Sequence, residues 1–313
     1  MTAQPVLKTD LIQTRKVKPC LVSSELNREL NEELNEELNK ELISELNKEL
    51  SKELKKSTQS KFSKAAARYN THANVQKHAA SDLFSLIKPG FNKNKLCVDL
   101  GAGPLVNTHT LQSMFSSVVA IDLSLNMLQS SDLTTTKICA DMDNLPLQAN
   151  SVDVIYSNFA VQWSANFSAL MQSLYSILKP GGQAYISTVV EGSLNEIKTA
   201  FAALDSNSHI NTFNGELYIN QSVQSAGFTI NSAKKRIYTD EYTTPLKAIA
   251  SIKAIGATTQ NHTNTRQGLL TKSALQKVCS AYPLINNKAC VSYHVVLLSL
   301  EKSHYKKAIN CLS

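Results

Sequence analysis

Leu96-Cys-Val-Asp-Leu-Gly-Ala-Gly103, answered by Val118-Val-Ala-Ile-Asp122, is the stretch that decides the fold. An apolar run of strand-forming residues carries Asp99 and breaks at two glycines. A helical segment follows, and then a second apolar strand that ends in an acid. Gly101 and Gly103 let the backbone turn sharply and approach a ligand closely, and Asp122 falls 19 residues after Gly103, where a ribose-binding carboxylate belongs. The pattern is that of a nucleotide-type cofactor site.

Which cofactor depends on charge. A dinucleotide sets its pyrophosphate on the amides of such a turn, and the third glycine of G-x-G-x-x-G permits close packing there; here that position is Val106. A carboxylate at Asp99 would also repel phosphate. S-adenosylmethionine (SAM) has no phosphate, and its amino group and sulfonium are cationic, so acids at Asp99 and Asp122 suit SAM better than NAD. Alone, D-x-G-x-G is also the pattern of an ordinary strand-to-helix turn, and the neighbouring segments decide between the two. They are Ile138-Cys-Ala-Asp141-Met142-Asp143, Ser151-Val-Asp153-Val-Ile-Tyr-Ser-Asn158, and Leu178-Lys-Pro180-Gly181-Gly182 before a strand from Gln183 to Val190. Ligands of an open parallel sheet collect at the carboxyl ends of its strands, so Asp99, Asp122, Asp141 and Asn158 are expected to converge on one crevice.

These residues resemble a Rossmann-like SAM-dependent methyltransferase. The resemblance implies an α/β fold with helices on both faces of the sheet. It places Asp99, Gly101 and Gly103 at the methionine end of SAM, Asp122 at the ribose hydroxyls, and Asp141 to Met142 at the adenine.

Composition narrows the class. The 313 residues, 42% of them hydrophobic, can bury a sizeable core, and one large domain with appendages is expected. Six cysteines include no C-x-x-C pair and no zinc spacing, which points to a reduced compartment. The chain has no apolar run of membrane-spanning length, and its start lacks an apolar signal core, so the expectation is a cytoplasmic enzyme without membrane association. The net charge is +7, and residues 1–60 carry 10 basic and 11 acidic side chains, so the remainder is the basic part. A basic body favours nucleic acid, a membrane surface or an acidic protein, and charge alone does not choose.

Residues 1–23 read as a mobile basic tail. Residues 24–56 read as a helix built on a tetrapeptide, with Glu at 25, 29, 33, 37, 41, 45, 49 and 53, each followed by Leu. A period of four turns the leucine stripe by about 40° per repeat, so it presents no constant seam of the coiled-coil kind. A repeat insertion without catalytic role is the first reading and a partner or oligomerisation helix the second. Residues 57–302 form the methyltransferase domain, in which helices at Lys61–Asn70 and Ala73–Ile87 precede a sheet from about Leu96 to Val190. Helices at Ser193–Leu204 and Leu217–Ala226, a strand at Phe228–Tyr238, helices at Pro245–Ile255 and Thr271–Tyr282, and a closing strand at Ala289–Leu300 complete it. Residues 240–285 read as an inserted helical lid and 303–313 as a basic tail.

A closer resemblance is carried by Phe62-Ser-Lys-Ala-Ala-Ala-Arg-Tyr69-Asn, Ser157-Asn-Phe-Ala-Val-Gln-Trp163, Val190-Glu-Gly-Ser-Leu-Asn-Glu-Ile197, Ile255-Gly-Ala-Thr258, Gly268-Leu-Leu-Thr271 and Ser292-Tyr-His294. Over about residues 60 to 302 the chain is similar to the malonyl-[acyl-carrier protein] O-methyltransferases of biotin synthesis. The family usually has a further glycine where this chain has Leu105, and often Cys at Ala102, and residues 1–60 match nothing in its pattern. The implied reaction is methylation of the free carboxylate of a malonyl thioester on an acidic carrier protein. A carboxylate is ionised at neutral pH, so no general base is needed. Arg266, in the lid, is the candidate to hold that anion through its planar fork, with a solvated loop arginine as the other reading. Trp163 walls the transfer pocket or serves the core. Tyr69 caps the methionine end or simply packs. Of Tyr293 and His294, alternation points one inward and one outward, and His294 reads equally well as structural. Lys234, Lys235 and Arg236, with Lys302, Lys306 and Lys307, are candidates for carrier docking. A methyltransferase for a quinone or other small molecule would share the sheet motifs but not the Ile-Gly-Ala-Thr and Ser-Tyr-His segments. An RNA methyltransferase would need a binding module that the chain does not show, so no nucleic acid is expected. A silent SAM-binding scaffold is the non-enzyme alternative.

Overall fold

The computed structural model describes residues 49–66, 73–88, 94–254 and 271–303. The chain divides into two units, residues 1–52 and 53–313. Of the first, only residues 49–52 are described, and they are helical. Most of the repeat, both tails, Tyr69, Arg266, Lys306 and Lys307 lie outside the described residues.

In the second unit a helix over residues 53–66 (α1) and a second at Asn74–Phe84 (α2) precede the first strand, Leu96–Leu100 (β1). Then follow Val106–Met114 (α3), Ser117–Asp122 (β2), Leu125–Gln129 (α4), Thr136–Cys139 (β3), Val152–Asn158 (β4), Phe167–Ile177 (α5) and Leu178–Val189 (β5). The remainder comprises Asn195–Ala202 (α6), Glu216–Ser225 (α7), Thr229–Tyr242 (β6), Pro245–Ala254 (α8), Lys272–Ser280 (α9), the short Leu284–Ile285 (β7) and Lys288–Glu301 (β8). The sheet order is β3-β2-β1-β4-β5-β8-β6, with β7 paired to β8. The first five strands run parallel, and β8 is antiparallel to both neighbours.

Alternation along the strands divides the core. Cys97, Val291, Tyr293, Val295 and Leu297 face one layer, with α2, α6, α8 and α9 packed on it. Val98, Leu100, Val296, Leu298 and Leu300 face the other, under α5 and α7. Helix α5 shows why such a segment is a helix: Phe167, Leu170, Met171, Leu174 and Ile177 recur at helical spacing, and Asn166 caps the start by accepting from the Ala169 amide at 3.0 Å. Burying each of these large side chains contributes about 1.5–3 kcal/mol.

Three details differ from the sequence reading. The last strand in the chain does not lie at the sheet edge, because β8 fills the slot between β5 and β6 and leaves β6 outermost. The Lys-Pro-Gly-Gly stretch belongs to β5, where the register slips between Val152 and Val154 and Gly181 takes a φ of 76°. Strand β6 reaches Tyr242 rather than Tyr238, since β8 supplies partners as far as Ala289.

Candidate functional site

The carboxyl ends of β1, β2 and β4 form the floor of a cavity of about 770 Å³, lined by Gly101, Gly103, Asp122, Asp141, Met142 and Asn158 among others. Six of the residues expected to hold the cofactor therefore come together. The turn after β1 is fixed by the Gly101 and Ala102 amides, which donate to Ile121 O at 2.8 and 3.0 Å. Gly101, at φ 72°, has no room for a side chain, since a Cβ there would lie 2.2 Å from that of Ala160. A Cβ on Gly103 would meet nothing within 4 Å, so that glycine opens onto free space.

Asp122 accepts from the Gly103 amide at 2.9 Å through one oxygen and from the Ser124 amide at 2.7 Å through the other. Burial pushes its carboxyl up, and those two bonds oppose the shift. Asp99 does not line the cavity. It sits under the turn, 1% exposed, accepting from Thr108 Oγ1 at 2.6 Å with Oδ2, while Oδ1 is buried without a partner. Burial raises its carboxyl to about 7, the Thr108 bond opposes this, and the Asp122 charge adds to it. The orphaned oxygen fits a cationic group near this end of the cavity.

A carboxyl of about 7 in the folded protein and about 3.9 in the unfolded chain favours the native state most where it is protonated. That stability is lost as pH rises from about 4 through 7, by up to about 1.4 kcal/mol per pH unit. Thermal melts at about pH 5.5 and about pH 8 should show a downward slope for the cofactor-free protein, and Asp99→Asn should flatten it. An equal slope in the variant would assign the loss to other groups.

Leu105 resolves the departure at the usual glycine. It keeps the left-handed backbone, at φ 63°, that glycine would supply, and its side chain is buried with Ala102, Ala120 and Leu128. The conformation costs about 1–2 kcal/mol for a residue with a Cβ, whereas removing a buried leucine costs about 2–5 kcal/mol. Leu105→Gly should therefore lower stability by about 1–3 kcal/mol in denaturant unfolding, despite relieving the strain.

Asn158 is committed to structure on both sides of its amide: it donates to Gln76 O at 3.0 Å and accepts from Ser187 Oγ at 2.6 Å. Trp163 lines this cavity and also a second one of about 440 Å³, and Phe62 and Phe159 do the same, so three aromatic rings form a shared wall. Tyr293 lines the second cavity and His294 lines neither. Alternation along β8 thus selects the tyrosine, and the His294 ring packs where a Cβ on Gly192 would lie 2.8 Å from it. The second cavity also presents Gln162 and Asn211, whose side-chain oxygens are buried without partners.

The basic run on β6 is not one patch. Lys235 pairs with Glu216 at 3.2 Å on the α7 face, whereas Arg236 lies 4.0 Å from Asp82 of α2 on the opposite face. Lys302 is occupied as well, donating to Leu178 O at 2.7 Å and Asn150 Oδ1 at 2.8 Å.

Sequence reasoning missed the contribution of α1. Lys55, Thr58 and Phe62 line the first cavity, and Phe62 meets Trp163 edge-on with ring centroids 5.3 Å apart. The signal was present in the spacing of 55, 58 and 62 on one helical face, but the tetrapeptide pattern overlapped it.

Residues 98–186 match the family described as Methyltransferase domain. The malonyl-[acyl-carrier protein] O-methyltransferase of Salmonella typhimurium is 31% identical over 245 residues, covering 77% of this chain and 95% of its own length. The biotin biosynthesis bifunctional protein BioHC of Cellvibrio japonicus is 34% identical over 228 residues, 71% of this chain, which spans only 44% of that longer protein. Among solved structures, a chain of the complex between the Haloferax volcanii Trm112 methyltransferase activator and a methyltransferase aligns with a TM-score of 0.53 at 18% identity. That alignment covers 80% of this chain and 99% of that one, and at this identity the likeness is one of fold.

Proposed function

The chain belongs to the malonyl-[acyl-carrier protein] O-methyltransferase family, and from that premise we propose that it methylates the free carboxylate of a malonyl thioester on an acyl-carrier protein, with SAM as donor. The observation that carries this reading is the pair of cavities back to back across Phe62, Phe159 and Trp163. One has the acids and glycines suited to SAM. The other is apolar with a few amide and phenol groups, suited to a short acyl chain ending in a polar group.

SAM supplies a methyl group made electrophilic by the sulfonium. The protein's residues bind, orient and exclude water. Gly101 and Gly103 admit the ligand to the backbone, Asp122 takes the ribose hydroxyls, and Asp141 with Met142 borders the adenine. Asp99 acts on the methionine end from beneath the turn by its charge. The aromatic wall excludes water from the space between the cavities, which strips part of the hydration from the attacking carboxylate. That carboxylate is already ionised, so catalysis is alignment. Arg266 is assigned to the anion and Tyr69 to the methionine end by the chemistry of their side chains, and Tyr293 lines the acyl chamber. His294 is left as a support of the Gly192 turn. The acidic carrier is drawn by the overall positive charge of the body, spread over both faces of the β6 edge.

Methyl transfer from labelled SAM to malonyl-carrier protein, malonyl-CoA and RNA tests the reading. A base-labile methyl ester on the malonyl carrier is the expected product. Transfer to RNA alone, or none to either malonyl thioester, would refute it.

A further inference from the structure

Helix α1 lays three side chains, one turn apart, against the loops that carry the cavity's acids. Lys55 Nζ lies 2.5 Å from Asp141 Oδ2 and 2.8 Å from Asp143 Oδ2. Gln59 Nε2 donates to Leu123 O at 2.8 Å, and the Ser63 and Ser124 hydroxyls meet at 2.8 Å. Thr58 and Phe62, on the adjoining flank, face the cavity itself. The helix is therefore fastened like a roof, and of these three side chains Lys55 is the charged one.

The ion triplet is sheltered, with 25% of the Lys55 side chain exposed, 30% of Asp141 and 18% of Asp143. Burial alone would lower the Lys55 ammonium, but the two carboxylates hold it above its usual range, so it remains charged at neutral pH. Asp143 has further partners, accepting from Ser164 Oγ at 2.5 Å and the Ala165 amide at 2.9 Å. Asp141 Oδ1 accepts from the Asp143 amide at 3.0 Å. Its other oxygen, Oδ2, is held by Lys55. Two carboxylates this close repel each other without a cation between them, and the turn from Met142 to Asn144 that they carry would splay.

We propose that Lys55 is a positioning residue of the cofactor site: by bridging Asp141 and Asp143 it fastens helix α1 over the cavity and orients the carboxylate beside which the adenine is set. The inference rests on the SAM reading of the cavity given above. It assigns a role in cofactor binding to the last tetrapeptide of the Glu-Leu repeat, Glu53-Leu-Lys55-Lys56.

The test titrates SAM into the full-length wild type, Lys55→Gln and Lys55→Arg at low and high salt. Trp163, the sole tryptophan of the chain, reports on the Phe62 contact through its quenching by acrylamide. Lys55→Gln should raise both Kd and KM for SAM by about tenfold, leave kcat unchanged and increase the quenching. Lys55→Arg should recover most of the affinity, and high salt should bring the wild type toward the Gln value. Wild-type affinity in Lys55→Gln, or a loss that arginine does not restore, would overturn the proposal. A wild type that binds no SAM would bring down the reading of the cavity and the latch together, an outcome recognisable because it does not depend on residue 55.

Discussion

Asp122→Ala should bind SAM at least about a hundredfold more weakly than the wild type while the protein stays folded. Hydrogen bonds to a charged acceptor contribute about 1.5–3 kcal/mol each, and the ribose offers two hydroxyls to one carboxylate, so about 3 kcal/mol is the lower end of the loss. The structure adds a second route to the same defect. The carboxylate also accepts from the Gly103 and Ser124 amides, and alanine strands both, which loosens the turn that borders the cofactor. Asp122→Asn retains an acceptor for one of the amides and should lie between the two. Calorimetric titration gives the affinities, and circular-dichroism melts establish that the variants are folded. Unchanged affinity in a folded alanine variant would place the ribose partner elsewhere.

The second large effect is expected at Arg266, which lies outside the described residues and is argued from the chemistry of the substrate. An ionised malonyl carboxylate moved out of water needs a cation, and the guanidinium fork matches its two oxygens. Lysine keeps the charge and loses the fork; alanine loses both. Turnover efficiency should therefore fall in the order Arg, Lys, Ala, with SAM affinity nearly constant. The alanine loss should be about 2–4 kcal/mol, or tens- to about a thousandfold in kcat/KM. Steady-state kinetics on the three proteins with malonyl-carrier protein decide it. An alanine variant at wild-type efficiency would transfer attention to Tyr293 and to the side-chain amide of Asn211, which line the acyl chamber and whose O–H and N–H groups are donors.

What could be read from the sequence was what is local. Asp99, the two glycines and Asp122 lie on one strand-turn-helix-strand unit, so their spacing alone brings them to one end of the sheet. The convergence of Asp141 and Asn158 followed from the parallel order of the strands. What escaped depended on contacts between distant segments. Lys55 meets Asp141 across 86 residues, and no periodicity announces such a pair. The run Lys234-Lys-Arg236 is contiguous in sequence, but a strand sends successive side chains to opposite faces, so Lys235 and Arg236 part. Tyr293 and His294 could be read as an alternating pair, yet which of them faces the cavity was set by the register of β8 against β5, where Val189 pairs with Val295.

The place of β8 also dictates the order in which the molecule can be completed. Translation releases β5 and β6 well before residues 288–301, yet in the sheet β8 lies between the two strands, bonded to β6 along nearly its whole length and to β5 along its second half. A nascent chain therefore carries an open slot with two unpaired edges until its final strand emerges, the situation in which strands recruit the wrong partner. Premature termination shortly before Lys288 would leave the cofactor half of the sheet assembled and the protein prone to aggregate, so the last strand acts as the keystone of biogenesis as well as a wall of the acyl chamber.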